Sequence, residues 1–154
     1  MGRPHQQQHR QAVGYSFHAG DLFHIGHLMQ LSFCRDYCDY LIVGLLTDQA
    51  IASYKRMPVI PYPQREEIYL ALRWVDRVVA QDSRDPTDTL KNLIERGQHI
   101  DVLFHGNDWT AGIPGREYIE RMGGALVITP YWHGQTTSEI IRRIREREEW
   151  EKLL

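Results

Sequence analysis

The chain is poor in cysteine, has no long hydrophobic run and shows no excess of basic residues. Its two cysteines, Cys34 and Cys38, leave no second pair for a structural zinc site and favour a reducing compartment. No apolar run approaches the roughly 20 residues that span a bilayer. The start "MGRPHQQQHRQAV" lacks the apolar core of a signal peptide. We therefore expect a cytoplasmic protein without membrane contact.

The charge balance excludes a long electrostatic track for nucleic acid. The sequence has 18 Lys and Arg against 20 Asp and Glu, which leaves a net charge of -2. The charged segment at the end of the chain carries both signs instead of a basic face. We expect no nucleic-acid partner, and any bound anion must meet a local group of donors.

A chain of 154 residues fits one domain with a single core. We interpret residues 1–12 as a disordered polar tail and residues 13–154 as that domain. Strands are predicted at 13–17, 39–47, 76–81, 101–106 and 125–131, and helices at 25–37, 63–75, 89–97, 116–124 and 137–154, with a short helix from residue 48. This alternation predicts a three-layer α/β domain with a mostly parallel sheet.

Sheets of this kind bind ligands at the carboxyl ends of their strands. The turns to inspect are therefore 18–27, 47–58, 105–109 and 131–138. The segment after the second strand also contains Pro58, Pro61 and Pro63. That density of proline excludes a regular helix or central strand and predicts a shaped loop.

The first of these turns contains "DLFHIGH", in which His24 and His27 are three residues apart. At a helix start they share one face, where unpaired N–H groups and the helix dipole favour phosphate. Gly26 would let a nucleotide approach without a Cβ in the way. Metal binding is a weaker alternative, because helical zinc pairs have i, i+4 spacing and an intervening glutamate. Histidines that only pack are another alternative, so the sequence favours a phosphate-binding site.

Four stretches, in this order, resemble the nucleotidylyltransferase superfamily and its cytidylyltransferases. "DLFHIGHLMQL" resembles the HxGH signature, "RWVDRVV" resembles RYVDEVI, "DVLFHGNDW" resembles DVFVMGDDW, and "HGQTTSEII" resembles EGISTTxII. The resemblance covers residues 13–144. The stretch "IVGLLTDQAIASYKRMPVIPYPQR" is similar to cytidylyltransferase domains associated with phosphoenolpyruvate mutase in phosphonate biosynthesis, including fosfomycin pathways. Glycerol-3-phosphate and phosphocholine cytidylyltransferases are more distant matches.

The resemblance implies a Rossmann-like α/β/α fold and transfer of CMP from CTP to a small phosphonate, first 2-hydroxyethylphosphonate or a related compound. It also implies pyrophosphate release, Mg²⁺ that arrives with CTP without protein ligands, and a homodimer with the "RWVD" region at its interface. Alternatives are a phosphate-ester acceptor, such as glycerol 3-phosphate, phosphocholine or phosphoethanolamine, or an adenylyltransferase. An inactive nucleotide-binding module is the alternative of a different class.

The same resemblance implies roles for individual residues. The catalytic set is His24, His27 and Lys55, with Arg56 as a weaker candidate. The nucleotide-binding set is Ala19, Gly20, Asp21, Gly26, Asp108, Gly134, Thr136, Thr137 and Ser138. The acceptor-binding set is Arg73, Asp76 and Trp109.

These assignments have structural alternatives. Lys55 fits a solvated loop lysine, and Arg73 with Asp76 fits an exposed ion pair of little energetic value. Asp108 fits a cap after a strand, and the hydroxyls that precede the last helix fit an N-cap.

The chain departs from the family pattern in two places. It reads "HAGD" where many relatives read GTFD, so His18 replaces a glycine and Gly20 an aromatic residue. His18 either reshapes the backbone there or adds a positive group. Tyr131 stands where many relatives have arginine and cannot supply its charge, with His133 as a partial substitute. The phosphonate-linked relatives share the tyrosine, which favours that branch.

Overall fold

The computed structural model describes residues 10–107 and 112–151, which form one sheet with helices on both faces. Its five strands pair in parallel in the order β3-β2-β1-β4-β5. The strands are β1 (Val13–His18), β2 (Tyr40–Leu46), β3 (Arg77–Gln81), β4 (Val102–Gly106) and β5 (Ala125–Thr129). The helices are α1 (Ile25–Arg35), α2 (Asp48–Ala52), α3 (Tyr62–Leu70), α4 (Thr87–Glu95), α5 (Arg116–Arg121) and α6 (Thr137–Glu151).

The apolar side chains of the strands alternate between the two faces of the sheet. In β2, Leu41, Val43 and Leu45 pack with α1 and α3, whereas Ile42 packs with α4 and α5 on the other face. Because a strand points successive side chains to opposite faces, a continuous apolar run such as "YLIVGLL" fills both cores. The three-layer Rossmann-like α/β/α fold predicted from the sequence is confirmed.

The strand order creates a topological switch point between β1 and β4. The chain builds β1, β2 and β3 in one direction and then crosses back to place β4 and β5 on the other side. Pairing between β1 and β4 covers only Gly14 with Val102 and Tyr15 with Leu103, although both strands continue beyond these pairs. Their carboxyl ends therefore leave a crevice, which is where such folds bind ligands.

The boundaries of some elements differ from the prediction. Helix α3 ends at Leu70 instead of residue 75, because the chain turns so that the amide of Asp76 can donate to the carbonyl of Leu41. Helix α4 begins two residues earlier than predicted, at Thr87, whose amide donates to the Asp85 carboxylate at 2.9 Å. Asp85 therefore stabilises the helix start by accepting from one of its first amides.

Residues 10–12, predicted as part of the disordered tail, bond to the domain instead. The amide of Ala12 donates to the Asp39 carboxylate at 2.8 Å, and Arg10 pairs with Asp101 at 2.6 Å. Residues 1–9 lie outside the described residues. Cys34 on α1 and Cys38, three residues after its end, are free and buried. Among the described helices, none is long and apolar enough to cross a membrane.

Candidate active site

A cleft of about 420 Å³ opens at the carboxyl ends of the strands, beside the crevice between β1 and β4. Most residues predicted for catalysis and nucleotide binding line it together: Ala19, His24, Gly26, His27, Lys55, Thr136, Thr137 and Ser138. They come from the β1–α1 turn, the loop after α2 and the start of α6. Arg84 after β3 and the ends of β4 and β5 complete the lining. These segments are far apart in the chain and meet here because the strand ends share one edge of the sheet.

The two histidines are fixed by the backbone at the start of α1. His24 is the N-cap, and its Nδ1 accepts a hydrogen bond from the Gly26 amide at 3.0 Å. The Nδ1 of His27 accepts in turn from the His24 amide at 3.3 Å. A neutral imidazole that accepts at Nδ1 carries its proton on Nε2. Both rings, with centroids 4.0 Å apart, therefore hold an Nε2–H donor ready for an anion.

The environment keeps both imidazoles neutral. Burial, followed by the charges of His18, His24 and Lys55, lowers the pKa of His27 to about 2. Burial also lowers the pKa of His24. The pair acts as hydrogen-bond donors, and a bound polyanion would be met by N–H groups and the helix dipole rather than by imidazolium charge.

Gly26 is required for packing around His24. A Cβ at this position would lie 2.8 Å from Cε1 and 3.0 Å from Nδ1 of His24, and 3.2 Å from the carbonyl oxygen of Gln135. A larger residue would displace the His24 ring or the turn before α6. The sequence predicted that the space beside Gly26 admits a nucleotide. The His24 ring occupies part of that space.

The loop that carries Lys55 is anchored by the buried carboxylate of Asp21. Its oxygens accept from the amides of Val59 and Ile60 at 2.9–3.0 Å and lie 3.4 Å from the Arg56 guanidinium. Asp21 does not line the cleft, so the predicted direct contact with the nucleotide is replaced by support of the loop. Arg56 likewise turns towards Asp21 and is not among the cleft residues.

A fully buried arginine on α3, Arg65, connects three parts of the site and was missed in the sequence. Its guanidinium donates to the carbonyls of Ala19 and Ile60 and pairs with Asp48 at 2.7 Å. The β1–α1 turn, the proline-containing loop and the start of α2 are therefore held by one side chain. The available signal was its position four residues before Tyr69, on the face of α3 that packs against the sheet.

The hydroxyl groups before α6 serve both structure and site. Thr136 caps the helix by accepting from the Glu139 amide at 3.1 Å, which is the structural alternative considered for it. The hydroxyl of Thr137 donates to the Asp21 carbonyl at 2.9 Å and ties α6 to the first turn. Ser138 lines the cleft beside them, and the free N–H groups of the helix start face the same space.

The described wall of the cleft carries cations and neutral donors but no Asp or Glu. Lys55 and Arg84 supply the positive charge, and Asn107 and Gln135 supply amides. Within the described part of the chain, no group of three or more His, Cys, Asp or Glu side chains is arranged to hold a metal ion. Such a wall suits a polyanion.

The two departures from the family pattern have structural consequences. His18 is buried, its Nε2 lies 2.9 Å from the Ser16 hydroxyl, and burial lowers its pKa to about 4. It is therefore neutral near pH 7, and the expectation that it adds a positive group is wrong.

Tyr131 is half exposed at the rim, with its ring 4.8 Å from that of His133. Gly20 makes room for Tyr69, whose ring would lie 2.7 Å from an added Cβ.

Other predicted residues in the described part of the chain do not line the cleft. Asp76 accepts from the Leu41 amide at 2.8 Å and pairs with Arg35 at the amino end of β2, on the opposite edge of the sheet. Arg73 lies over the ring of Trp74, 4.5 Å from its centroid. Neither residue lines the cleft of this chain, and their role in acceptor binding stays a prediction. Gly20 and Gly134 do not line the cleft either, and Asp108 and Trp109 lie outside the described residues.

A larger depression of about 680 Å³ beside β3 and α4 is a poorer candidate. Its walls contain Asp82, Asp85 and Asp88 but no histidine. With Arg77 and Arg96 in the same walls, these carboxylates leave no excess of positive charge for a polyanion, and none of the predicted site residues lies there.

Comparison with known proteins now identifies the family. The sequence profile of the cytidylyltransferase-like family matches residues 20–144. The chain belongs to this family. That membership confirms the predicted kind of enzyme, a nucleotidyltransferase, and the matched range begins at the β1–α1 turn and includes the start of α6.

Relatives within the cytidylyltransferase-like family carry different names. The chain is 37% identical over 127 residues to the bifunctional protein HldE of Geobacter sulfurreducens, covering 80% of this chain and 25% of that protein. It is 34% identical over 126 residues to the ethanolamine-phosphate cytidylyltransferase of Mus musculus, covering 80% of this chain and 30% of that protein. The chain thus spans between a quarter and a third of the length of these relatives.

A solved structure supports the fold of this family member. The lipopolysaccharide core biosynthesis protein of Thermoplasma volcanium superposes with a TM-score of 0.63 at 20% identity, covering 81% of this chain and 99% of that one. At this identity the likeness concerns the fold alone. The closer resemblance to phosphonate-linked domains is not supported by these relatives and stays a prediction.

Proposed function

We propose that this chain transfers CMP from CTP to a small acceptor with a phosphate or phosphonate group and releases pyrophosphate. An oxygen of the acceptor dianion forms a bond to the α-phosphorus, and the bond from that phosphorus to the bridging oxygen of the β-phosphate breaks. The electron pair leaves with pyrophosphate. Since the attacking oxygen is already deprotonated, the reaction needs no general base.

The observation that carries the proposal is the pair of Nε2–H donors at the start of α1. The amides of Gly26 and His24 fix both tautomers before any ligand arrives. Donors held in this way can stabilise charge that gathers on the α- and β-phosphate oxygens in the transition state, without reorganisation. Lys55 adds a positive charge at the same cleft, and the start of α6 offers hydroxyl and N–H donors to the outer phosphates.

Mg²⁺ belongs to this proposal as an ion that accompanies CTP. The donors of the described cleft are imidazole, ammonium, guanidinium, amide and hydroxyl groups, which fit phosphate oxygens rather than a resident divalent cation. Bound to the triphosphate, Mg²⁺ would neutralise part of its charge. The residues described here would hold the phosphates that carry the ion.

The proposed acceptors follow from two lines of support. The likeness to an ethanolamine-phosphate cytidylyltransferase supports a phosphate monoester such as phosphoethanolamine. The sequence resemblance to phosphonate-linked domains supports 2-hydroxyethylphosphonate or a related alkylphosphonate. A homodimer is also part of the proposal, and size-exclusion chromatography with light scattering of the full chain tests it.

The function is tested by pyrophosphate release in the presence of Mg²⁺. CTP and ATP should each be combined with 2-hydroxyethylphosphonate, 2-aminoethylphosphonate, phosphoethanolamine, phosphocholine and glycerol 3-phosphate. We expect turnover with CTP and one acceptor class, and loss of turnover in His27→Ala. Turnover with ATP alone would assign an adenylyltransferase, and CTP binding without turnover would assign an inactive nucleotide-binding module.

A further inference from the structure

The cleft contains a pair of cations on the side of β2 and β3. Lys55 lies in the loop after α2, Arg84 lies in the loop after β3, and both line the cleft. The Lys55 Nζ lies 5.6 Å and the Arg84 guanidinium carbon 4.8 Å from the centroid of the same ring, that of Tyr54. One aromatic side chain therefore holds two cations at one wall of the cleft.

The two cations are close enough to affect each other. Burial, followed by the charges of Arg56 and Arg84, lowers the pKa of Lys55, while Asp21 raises it. An anion bound between Lys55 and Arg84 would offset this repulsion and raise the pKa of Lys55 again. The arrangement thus favours a ligand with negative charge at this wall.

The geometry of the transfer indicates whether this anion belongs to the triphosphate or to the acceptor. The histidines at the start of α1 and the start of α6 form one group of donors, because the Thr137 hydroxyl donates to the Asp21 carbonyl in the β1–α1 turn. If this group holds the triphosphate, the acceptor needs a separate anion site, because an in-line displacement places the attacking oxygen opposite the leaving pyrophosphate. Lys55 and Arg84, in the loops after α2 and β3, are the Lys and Arg side chains of the described cleft, and they lie outside that group.

We propose that Lys55 and Arg84 bind the phosphate or phosphonate dianion of the acceptor, and that Arg84 sets the affinity for it. This inference rests on the proposed function. The planar guanidinium of Arg84 can donate two parallel hydrogen bonds to two oxygens of the dianion. The third oxygen is then left to attack the α-phosphorus as the bond to pyrophosphate breaks. Tyr54 keeps both cations at the wall.

The first test separates binding of the acceptor from binding of CTP in the full chain. Pyrophosphate release is measured for Arg84→Ala and Arg84→Lys, with 2-hydroxyethylphosphonate and phosphoethanolamine as acceptors. We expect Arg84→Ala to raise the KM of the acceptor about 10- to 100-fold, as for a lost charge-assisted hydrogen bond. The KM of CTP should change less than about threefold. Arg84→Lys should recover part of the loss. Arg96→Ala, an exposed arginine at the end of α4, is the matched control.

Unchanged KM of the acceptor in Arg84→Ala would overturn the inference, and so would an equal rise in the KM of CTP. The preferred acceptor of the parent chain tells whether the dianion is a phosphonate or a phosphate ester.

A second test does not depend on turnover. Methylphosphonate and methyl phosphate are titrated into the parent chain and Arg84→Ala by calorimetry, with α,β-methylene-CTP present. Weaker binding to the variant supports the inference even if no acceptor gives pyrophosphate, a result that would contradict the proposed function alone. Equal binding to both chains, or no binding to the parent chain, would overturn the inference.

Discussion

At the scale of single residues, two backbone amides decide what the histidine pair can do. The amides of His24 and Gly26 occupy the Nδ1 atoms and thereby point protonated Nε2 atoms away from the helix. The rings need no positive charge for this, and burial keeps His27 from acquiring one. Donor direction, set by the local backbone, is the property on which catalysis would depend.

His27→Ala should therefore lower kcat much more than it weakens nucleotide binding. Removal of one fixed donor to transition-state charge typically costs about 100- to 1000-fold in rate. Steady-state kinetics of pyrophosphate release, with calorimetry of CTP binding, would measure both quantities. His99→Ala, outside the cleft, serves as the control, and comparable losses in the two variants would rule out a specific role for His27.

Gly26→Ala should affect catalysis with little loss of stability. The added Cβ would lie 2.8 Å from the His24 ring, so the ring must move from its present position. We expect kcat to fall by roughly tenfold or more, as for a partly misplaced donor, while the thermal midpoint changes little. Gly97→Ala is not a suitable control, because the φ of Gly97 is positive and alanine would be strained there. The parent chain is therefore the reference. A normal kcat in a folded Gly26→Ala chain would contradict this account.

At the scale of elements, the loop with Lys55 has an ordered path because other elements hold its backbone. Asp21 binds the amides of Val59 and Ile60, and Arg65 binds the carbonyl of Ile60. Proline sets the shape of the loop, and these contacts set its position relative to the histidines. The supporting residues therefore belong to the turn after β1 and to α3, not to the loop itself.

Asp21→Asn should loosen this loop without removing Lys55. One amide oxygen replaces two carboxylate oxygens, and the new NH₂ group would face backbone donors, so a destabilisation of about 1–3 kcal/mol is expected. Hydrogen exchange at residues 59 and 60 should become faster, and kcat should fall. Asp88→Asn, with a side chain that is 86% exposed, is the control. Unchanged exchange at both amides would show that Asp21 does not anchor the loop.

The sequence predicted elements and the central site more accurately than it predicted supporting contacts. Periodicity and turn residues determine where strands alternate with helices, and the carboxyl-end rule then brings His24, Lys55 and Thr136 together. The predicted acceptor residues Arg73 and Asp76 share their short motif with the family but do not line the cleft, and Asp76 lies at the amino end of β2. Motif likeness did not tell which edge of the sheet they occupy, because that depends on where α3 ends.

Residues missed in the sequence were those whose partners are distant in the chain. Arg65 binds the carbonyl of Ala19, 46 positions away, and Arg84 meets Tyr54 across two elements. The spacing of Arg65 from Tyr69 is a local signal of burial, but no local pattern indicates the distant partners of either arginine. Only the folded sheet shows these partners and that Arg84 faces the cleft.

At the scale of the whole molecule, buried neutral histidines make stability depend on pH. The pKa of His18 is about 4 in the folded chain, against an ordinary value of 6.5. Between these values the unfolded chain binds a proton that the folded chain excludes. The free energy of unfolding therefore falls as the pH drops from about 6.5 to about 4, and His18 contributes nothing to this dependence at higher pH. His27 acts in the same direction.

Replacement of His18 by glutamine should weaken this pH dependence. Glutamine keeps a polar partner for Ser16 but does not titrate, so the variant should lose about 2 kcal/mol less than the parent chain between pH 7.5 and pH 5.0. Urea denaturation at both pH values measures the difference. His133→Gln, at an exposed position, is the control. Equal losses in parent and variant would show that His18 does not resist protonation in the folded chain.

The bond from the Thr137 hydroxyl to the Asp21 carbonyl joins positions 116 residues apart. During synthesis, the ribosome therefore makes both histidines and Lys55 well before the segment that completes the phosphate-binding wall. A nascent chain that already contains β1 to β5 still lacks α6, so it would offer a nucleoside triphosphate only part of the proposed site and gain less stability from it. Under the proposed function, stabilisation of the folding domain by its nucleotide would therefore be strongest after translation has passed the start of the last helix.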